Sequence, residues 1–226
     1  MLRAAVQFLT IVPAPGAPHV APGAAAAWYP LVGAMIGVLA WLAWRTPMQA
    51  TAAIVLVIVI TGGLHEDGLA DVCDAIRAGR TREAILRILK DSRIGAYGAI
   101  AIVLSILVRW HALSLWKSPD WTQFAFVFAC SRGSMVMLAF STPSLSEGLG
   151  EAFRNSIPKS APWLVALQCM AVAYFCNGWM PLLVVILSIV LIRFWLLRRV
   201  GGFNGDCLGF QCQIAEAAAM VVFACR

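Results

Sequence analysis

Four acidic residues lie within nine positions of this 226-residue chain, directly after an apolar run: Glu66, Asp67, Asp71 and Asp74. In a helix the three aspartates follow one another at i, i+4 and i+7, and fall within about 60° of arc on one face. Like charges stacked in this way repel one another unless a cation neutralises them. Because hard carboxylate oxygens suit Mg²⁺, we interpret the stretch as a divalent metal site. The alternative is a solvated acidic end of a membrane helix.

A second polar stretch, Lys90-Asp91-Ser92-Arg93, precedes the third apolar segment. Arg93 could hold phosphate oxygens as a planar fork and Lys90 as a point charge. Basic residues that anchor a helix end to lipid headgroups would give the same pattern, and the stretch alone does not separate the two. Next to an acidic metal cluster, the pattern favours a diphosphate ligand.

Two charged residues lie inside apolar segments, Arg132 in the fourth and Glu216 in the last. A charge in such a position costs about 2.5–3.5 kcal/mol on insertion scales, so it normally faces a polar interior and marks a functional site. We therefore include both residues among the candidates for the site. The alternative is a structural ion pair between them.

Closely spaced glycines precede the last apolar segment, at Gly201, Gly202 and Gly205, and are followed by Asp206. Glycines allow the backbone to approach a bulky or anionic ligand, and Asp206 supplies a further carboxylate. A tight turn between helices would have a similar sequence.

Two further polar residues are not expected to contribute to the metal site. His65 lies on the opposite side of the predicted helix from the three aspartates. Arg109 lies towards the outer end of the third apolar segment, where we expect its side chain to reach the lipid–water interface. The seven cysteines form no CxxC pair or Cys/His cluster, so the sequence does not indicate a zinc site.

The composition predicts an integral membrane protein, because 61% of residues are hydrophobic and only 12% are charged, against about 25% charged in soluble domains. Residues 1–226 are interpreted as a single membrane-embedded catalytic domain. The fold class is all-α, a polytopic bundle of about seven transmembrane helices plus short interfacial helices. The apolar segments are 29–44, 48–63, 95–116, 121–140, 161–177, 180–197 and 208–225.

The distribution of basic residues predicts the orientation. The net charge is +6, but the basic residues are spread over alternate loops rather than collected in one run, which indicates a lipid bilayer and not nucleic acid as the partner. The positive-inside rule then places the N-terminus, the 64–94 interval and the glycine-rich loop on the cytoplasmic face. Within that interval, Thr81 is the expected N-cap of a short surface helix. Residues 1–13 are predicted to form an amphipathic or re-entrant segment at the membrane surface.

Taken together, these motifs resemble the cobalamin synthase family, the adenosylcobinamide-GDP ribazoletransferases. The matching stretches occur in the expected order and are 8–13, 61–74, 90–95, 131–133 and 201–209. The resemblance implies a multi-pass enzyme of the bacterial inner membrane that acts in the last steps of cobalamin biosynthesis. It would join adenosylcobinamide-GDP to α-ribazole or α-ribazole 5′-phosphate, release GMP and require Mg²⁺, with its active site on the cytoplasmic face.

The resemblance also assigns roles to residues. The metal ligands would be Glu66, Asp67, Asp71 and Asp74. The catalytic residues would be Asp67, Asp71, Asp74 and Arg132. The substrate-binding residues would be Lys90, Asp91, Arg93, Gly201, Gly202, Gly205, Asp206 and Glu216. The sequence leaves open which aspartate accepts a proton, how many metal ions bind and whether the chain forms a homo-oligomer.

Two other functions match parts of the pattern. A CDP-alcohol phosphotransferase would carry an Asp-Gly-x-x-Ala-Arg run, of which Asp67-Gly-Leu-Ala-Asp71 matches only the opening and lacks the arginine. A small-solute transporter would use Arg132 and Glu216 on an ion pathway. Transporter sites usually lie near the membrane midplane between inverted repeats, whereas most of the charge here lies on one predicted face and the sequence contains no internal repeat.

Overall fold

A computed structural model describes residues 1–17, 19–79, 81–89, 91, 93–145 and 149–226 of the chain. The described residues are almost entirely helical, and the only β-type pairing among them is an isolated bridge between Ser144 and Phe203. The all-α prediction is therefore confirmed. In chain order the helices are α1 (Leu2–Leu9), a 3₁₀ helix (Pro22–Trp28), α2 (Tyr29–Trp44), α3 (Gln49–Thr61), α4 (Leu64–Ala78), α5 (Arg82–Ile88), α6 (Ala96–Ser114), α7 (Trp121–Ser141), α8 (Leu149–Ser156), α9 (Ala161–Phe175), α10 (Trp179–Arg199) and α11 (Gly205–Ala224).

All seven predicted apolar segments are helical, as α2, α3, α6, α7, α9, α10 and α11. Among the described residues, five helices are long and apolar enough to cross a membrane, and α3 and α4 together would make a sixth although they are bent by 87°. The predicted number of seven is thus approximate, because α3 and α9 are shorter than a full span. The five long helices are Pro22–Trp44, Ala96–Ser114, Trp121–Ser141, Trp179–Arg199 and Gly205–Ala224.

Helix α7 is the centre of the bundle and packs against α2, α9, α10 and α11. The backbones of α2 and α7 approach closely because α2 has glycines where they meet. A Cβ atom added at Gly37 would lie 2.5 Å from the carbonyl oxygen of Phe124, and one at Gly33 would overlap the carbonyl oxygen of Phe128. Small residues allow this close contact, which is the main source of attraction between helices in lipid.

A pair of glycines redirects the chain between α3 and α4. Gly62 and Gly63 have φ values of 64° and 71°, in the left-handed region that glycine adopts without strain. Helix α4, which carries the acidic stretch, consequently turns away from the direction of α3.

Helix α4 lies against the start of α11 at a second close approach. A Cβ atom at Gly68 would lie 2.7 Å from the carbonyl oxygen of Asp206 and 3.1 Å from the Cα atom of Gly209. The acidic stretch and the residues after the glycine-rich loop therefore lie side by side.

Contacts at the helix ends show that these motifs share one end of the bundle. The amide of Ile11 donates to the carbonyl oxygen of Ile60 at 2.8 Å, which brings the N-terminal segment to the last turn of α3. At the opposite end, Nε1 of Trp110 near the end of α6 donates to Oγ1 of Thr51 at the start of α3, at 3.1 Å. The N-terminal segment, α4 and the start of α11 thus lie at the same end.

Two short helices, α1 and α5, occur where they were predicted, whereas α8 and the 3₁₀ helix were not predicted. Oγ1 of Thr81 accepts from the amide of Ala84 at 3.3 Å and caps α5, and Ile85 is buried. Helix α1 is amphipathic, with Ala5 and Leu9 buried and Arg3 exposed.

We expect Gly33→Leu to lower the thermal stability of the purified protein, because the added side chain would separate α2 from α7. Overpacking of this kind costs about 1–3 kcal/mol. Thermal unfolding in detergent, followed by tryptophan fluorescence, measures the effect. Leu39→Ala, on the exposed side of the same helix, is the control and should change the melting temperature little. Equal melting temperatures for Gly33→Leu and the unmodified protein would contradict the proposed packing.

Candidate active site

Four carboxylates, those of Asp67, Asp71, Asp74 and Asp206, lie near one another where α4 and α11 cross. The charges of Asp67, Asp206 and Asp74 all act on the carboxylate of Asp71. Asp67 is exposed, and Asp71 and Asp206 are partly buried. Within the described part of the chain, the carboxylates of Asp67 and Asp71 make no hydrogen bond or ion pair with another residue. The free carboxylates of Asp67 and Asp71, together with Asp206, form a concentrated negative charge that a cation would stabilise.

The donors at this crossing fit a hydrated Mg²⁺ ion. Among the described residues, no three His, Cys, Asp or Glu side chains are close enough to surround a metal ion by themselves. Mg²⁺ seldom needs such a cage, because it keeps several waters and binds one or two carboxylates together with substrate phosphates. Asp67, Asp71 and Asp206 supply oxygen ligands of that kind.

The predicted metal ligand Asp74 also links α4 to α6. Its Oδ2 accepts from the amide of Gly95 at 2.7 Å, and its Oδ1 accepts from the amide of Gly98 at 2.9 Å. The carboxylate therefore caps the N-terminus of α6, where backbone amides lack partners and the helix dipole favours a negative charge. Its role as a metal ligand stays a prediction.

Four buried charges form an ion network inside the bundle. Nη2 of Arg109 lies 3.1 Å from Oε1 of Glu66, and Nη1 of Arg109 lies 2.9 Å from Oε1 of Glu216. Nη1 of Arg132 binds Oε2 of the same Glu216. Arg132 and Glu216 thus form the structural ion pair that was the alternative to a role in the site, and their predicted roles at the site stay predictions. Two carboxylates are balanced by two guanidinium groups.

The expectation that Arg109 reaches the lipid–water interface is wrong. Its side chain is only 1% exposed, since Glu66 and Glu216 inside the bundle neutralise it. The sequence contained a signal that Arg109 is buried. Glu66 lies next to an apolar segment and Glu216 lies within one, and two internal acidic residues require a second internal base besides Arg132.

Glu66 and Asp67 are neighbours in the chain but face different surroundings. Glu66 is buried, and its Oε1 accepts from Nε2 of Gln213 at 3.1 Å as well as from Arg109. Asp67 is exposed. The structure thus brings Asp67, Asp71 and Asp206 together, while Glu66 joins Arg132 and Glu216 in the ion network. His65 is buried beside this network, within range of the charges on Arg109 and Arg132.

Of the predicted phosphate-binding residues, Arg93 is exposed and Asp91 is partly exposed. Arg93 makes hydrogen bonds to Asp91, from Nε to Oδ1 at 2.9 Å and from Nη2 to Oδ2 at 2.7 Å. These bonds lower the pKa of Asp91 to about 2. Because the pair is solvated it is weak, and a phosphate could replace Asp91 at the guanidinium fork. Lys90 lies outside the described residues.

The glycine-rich loop has a structural role at two of its three predicted positions. Gly201 has a φ of 88°, and a Cβ atom at Gly202 would lie 2.5 Å from the carbonyl oxygen of Pro143. Around Gly205 the space is open, with nothing within 4 Å of an added Cβ. The loop leads into Asn204, whose Nδ2 donates to Oδ2 of Asp206 at 2.6 Å and so orients that carboxylate.

Two cavities adjoin Asp67 from different sides. The larger, of about 560 Å³, lies against the N-terminal segment and the Gly62–Gly63 turn. The smaller, of about 210 Å³, lies between α1, α4, α8 and the start of α11. Phe8, Leu64 and Asp67 line both cavities. The exposed aspartate is therefore positioned between two spaces that could each hold a ligand.

Comparison with known proteins shows which family and which named proteins the chain is similar to. A family model described as cobalamin-5-phosphate synthase matches residues 1–224. A protein of Pseudomonas putida strain F1, named adenosylcobinamide-GDP ribazoletransferase, is 35% identical over 231 residues, covering 96% of this chain and 95% of the relative.

Proteins with the same name from two other organisms are also similar. The Herpetosiphon aurantiacus protein is 35% identical over 240 residues, with 99% of this chain and 95% of the relative covered. The Brevibacillus brevis protein is 32% identical over 209 residues, with coverages of 86% and 85%. No solved structure matches the chain.

We expect Asp74→Ala to lower thermal stability even in EDTA, because α6 loses its cap whether or not a metal is bound. Loss of an N-cap costs about 0.5–2 kcal/mol. Asp71→Ala, which removes a carboxylate that has no hydrogen bond to a described residue, is the matched control. A fall in the melting temperature that occurs only when Mg²⁺ is present would contradict the capping role.

Replacing Arg109 with methionine should destabilise the protein strongly, since Glu66 loses its ion-pair partner and Glu216 loses one of two. Breaking a buried ion pair typically costs about 3–5 kcal/mol. Thermal unfolding in detergent provides the measurement, with the exposed Arg45→Met as control. Adding Glu66→Gln to the Arg109 variant should restore part of the loss. A double variant no more stable than Arg109→Met would contradict this pairing.

Proposed function

The chain belongs to the cobalamin-5-phosphate synthase family, and from this we propose that it joins adenosylcobinamide-GDP to α-ribazole or α-ribazole 5′-phosphate and releases GMP with the help of Mg²⁺. The family match confirms the resemblance seen in the motifs, and the chain is accordingly an enzyme. The observation that carries the mechanism is the group of carboxylates Asp67, Asp71 and Asp206, of which Asp67 lines both cavities and Asp206 lines the smaller one.

The reaction is a transfer at phosphorus. A hydroxyl oxygen of the ribazole ribose attacks the phosphorus that is attached to the corrinoid, and a new P–O bond forms. The bond from that phosphorus to the bridging oxygen of the diphosphate breaks, and its electron pair leaves with GMP. The hydroxyl proton passes to a base. In such reactions positioning and charge neutralisation provide most of the catalysis.

The surroundings of each residue determine the role that we assign to it. Asp67 and Asp71 would hold Mg²⁺, together with Asp206, and a bound Mg²⁺ would neutralise the charge of the diphosphate. Asp67 is also the best-placed proton acceptor, since it is exposed and lies between the two cavities. Arg93, with Lys90, would bind phosphate oxygens once the substrate displaces Asp91.

The buried charges act indirectly in this proposal. Arg132 and Glu216 are paired with each other inside the bundle, and Glu66 is tied to Arg109. We assign these residues to holding α4 in position rather than to contact with the diphosphate. The Gly201–Gly202 turn has the same function for Asp206.

The proposed side of the membrane is inferred from the distribution of exposed basic residues. Arg3 in α1 and Arg198 and Arg199 at the end of α10 are exposed at the same end of the bundle as α4. By the positive-inside rule this end would face the cytoplasm of a bacterial inner membrane. The CDP-alcohol phosphotransferase and transporter alternatives receive no support from the family match.

Purified enzyme should release GMP from adenosylcobinamide-GDP and α-ribazole with Mg²⁺, and release should stop in EDTA. Asp71→Asn should abolish this activity while membrane insertion and thermal stability stay intact, because the amide lacks the charge that attracts the cation. Chromatographic detection of GMP is the measurement. The control is Glu83→Gln, an exposed acidic residue of α5. Undiminished turnover by Asp71→Asn would rule out its role at the metal, and no GMP from the unmodified protein would refute the function.

A further inference from the structure

The smaller cavity beside Asp67 has the lining of a site for a flat, mostly apolar ligand. We call it the base cavity; its volume is about 210 Å³. Its apolar walls come from α1, α4, α7, α8 and α11, through Phe8, Leu64, Met135, Phe153 and Leu208. Its polar side chains are few, namely His65, Asp67 and Asp206. Apolar walls with a few polar groups are typical of small-molecule sites.

Aromatic rings stabilise one wall of the base cavity. Phe8 stacks on Tyr29 with ring centroids 5.7 Å apart, and Phe153 lies 6.0 Å from both rings. Each ring comes from a different helix, so the cluster also holds α1 and α8 against α2. Such rings favour contact with another planar ring system.

His65 provides a second and independent observation. The residue is 0% exposed, and neither Nδ1 nor Nε2 has a hydrogen-bond partner within the described part of the chain. Its charged neighbours Arg109 and Arg132 can only donate hydrogen bonds. Buried polar groups are normally paired, so an unpaired ring at the edge of a cavity indicates a ligand that completes its hydrogen bonding.

We propose that the base cavity binds the two-ring base of α-ribazole, and that His65 hydrogen-bonds the ring nitrogen that carries no sugar. This inference rests on the proposed function and names the subsite of one substrate. A dimethylbenzimidazole base has one acceptor nitrogen and two methyl groups, which match one histidine in an apolar wall. Guanine would need donors for O6 and N7, and leaving these atoms unpaired is unfavourable.

Size and position agree with this assignment. The cavity volume of about 210 Å³ is the volume that about seven water molecules occupy in the liquid. This volume suits one two-ring base and is far too small for a corrinoid. A base in this cavity would direct its ribose towards Asp67. The larger cavity of about 560 Å³ on the other side of Asp67 is then free for the diphosphate substrate.

Filling the base cavity from Gly205 tests the proposal. Gly205 lines the cavity, and an added Cβ meets nothing within 4 Å, so a side chain can enter without displacing the wall. Gly205→Phe should raise the KM for α-ribazole by about tenfold or more. The KM for adenosylcobinamide-GDP and the melting temperature should stay close to those of the unmodified enzyme. Gly205→Ala, which fills little space, is the matched control.

The opposite selectivity would overturn the proposal. If Gly205→Phe raised the KM for adenosylcobinamide-GDP or weakened inhibition by GMP, and left the KM for α-ribazole unchanged, guanine would occupy the cavity instead. An unchanged KM for both substrates would mean that neither base binds there. Failure of the unmodified enzyme to release GMP would count against the proposed function itself.

A substrate analogue tests the hydrogen bond without relying on a cavity-filling variant. The riboside of the corresponding dimethylindole keeps both methyl groups and has carbon in place of the acceptor nitrogen. Equilibrium dialysis should show that it binds the unmodified enzyme about tenfold more weakly than α-ribazole. His65→Phe should bind the two ribosides equally. Equal binding of both by the unmodified enzyme would refute the role of His65.

Discussion

The buried ion network of Glu66, Arg109, Glu216 and Arg132 is the constraint on which the rest of the structure depends. These residues come from α4, α6, α11 and α7, so the network joins four helices at one point. Inside a membrane protein each charge has been removed from water, and each therefore requires its partners to remain in place. The network therefore restricts the relative positions of these four helices strongly.

This network also orients the acidic helix. When Glu66 is held inside the bundle by Arg109, the next residue, Asp67, must lie on a different side of α4 and becomes exposed. Backbone contacts add to this restraint, since Gly68 allows α4 to touch the start of α11 and Asp74 binds the first amides of α6. An apolar bundle can thereby present several carboxylates at one end without burying them.

The division between buried and exposed charge agrees with the proposed chemistry. Transfer at phosphorus depends on positioning the reactants and on neutralising negative charge. Both require side chains that are held in fixed positions more than they require many catalytic groups. The network is neutral and buried, whereas the carboxylates of Asp67 and Asp71 have no hydrogen-bond or ion-pair partner among the described residues, and Asp67 borders both cavities. In the proposed mechanism, stability and catalysis thus rely on different carboxylates of the same short stretch.

The sequence by itself determined the features that depend on neighbouring residues. Long apolar runs must be helical in lipid, because only a helix satisfies its own backbone hydrogen bonds there, and the spacing of Asp67 and Asp71 defines one helical face. The partners of Arg109, the cap formed by Asp74 and the approach of Asp206 were decided only by the tertiary structure. Each depends on which helices become neighbours and at what height they cross, and local spacing along the chain does not encode that geometry.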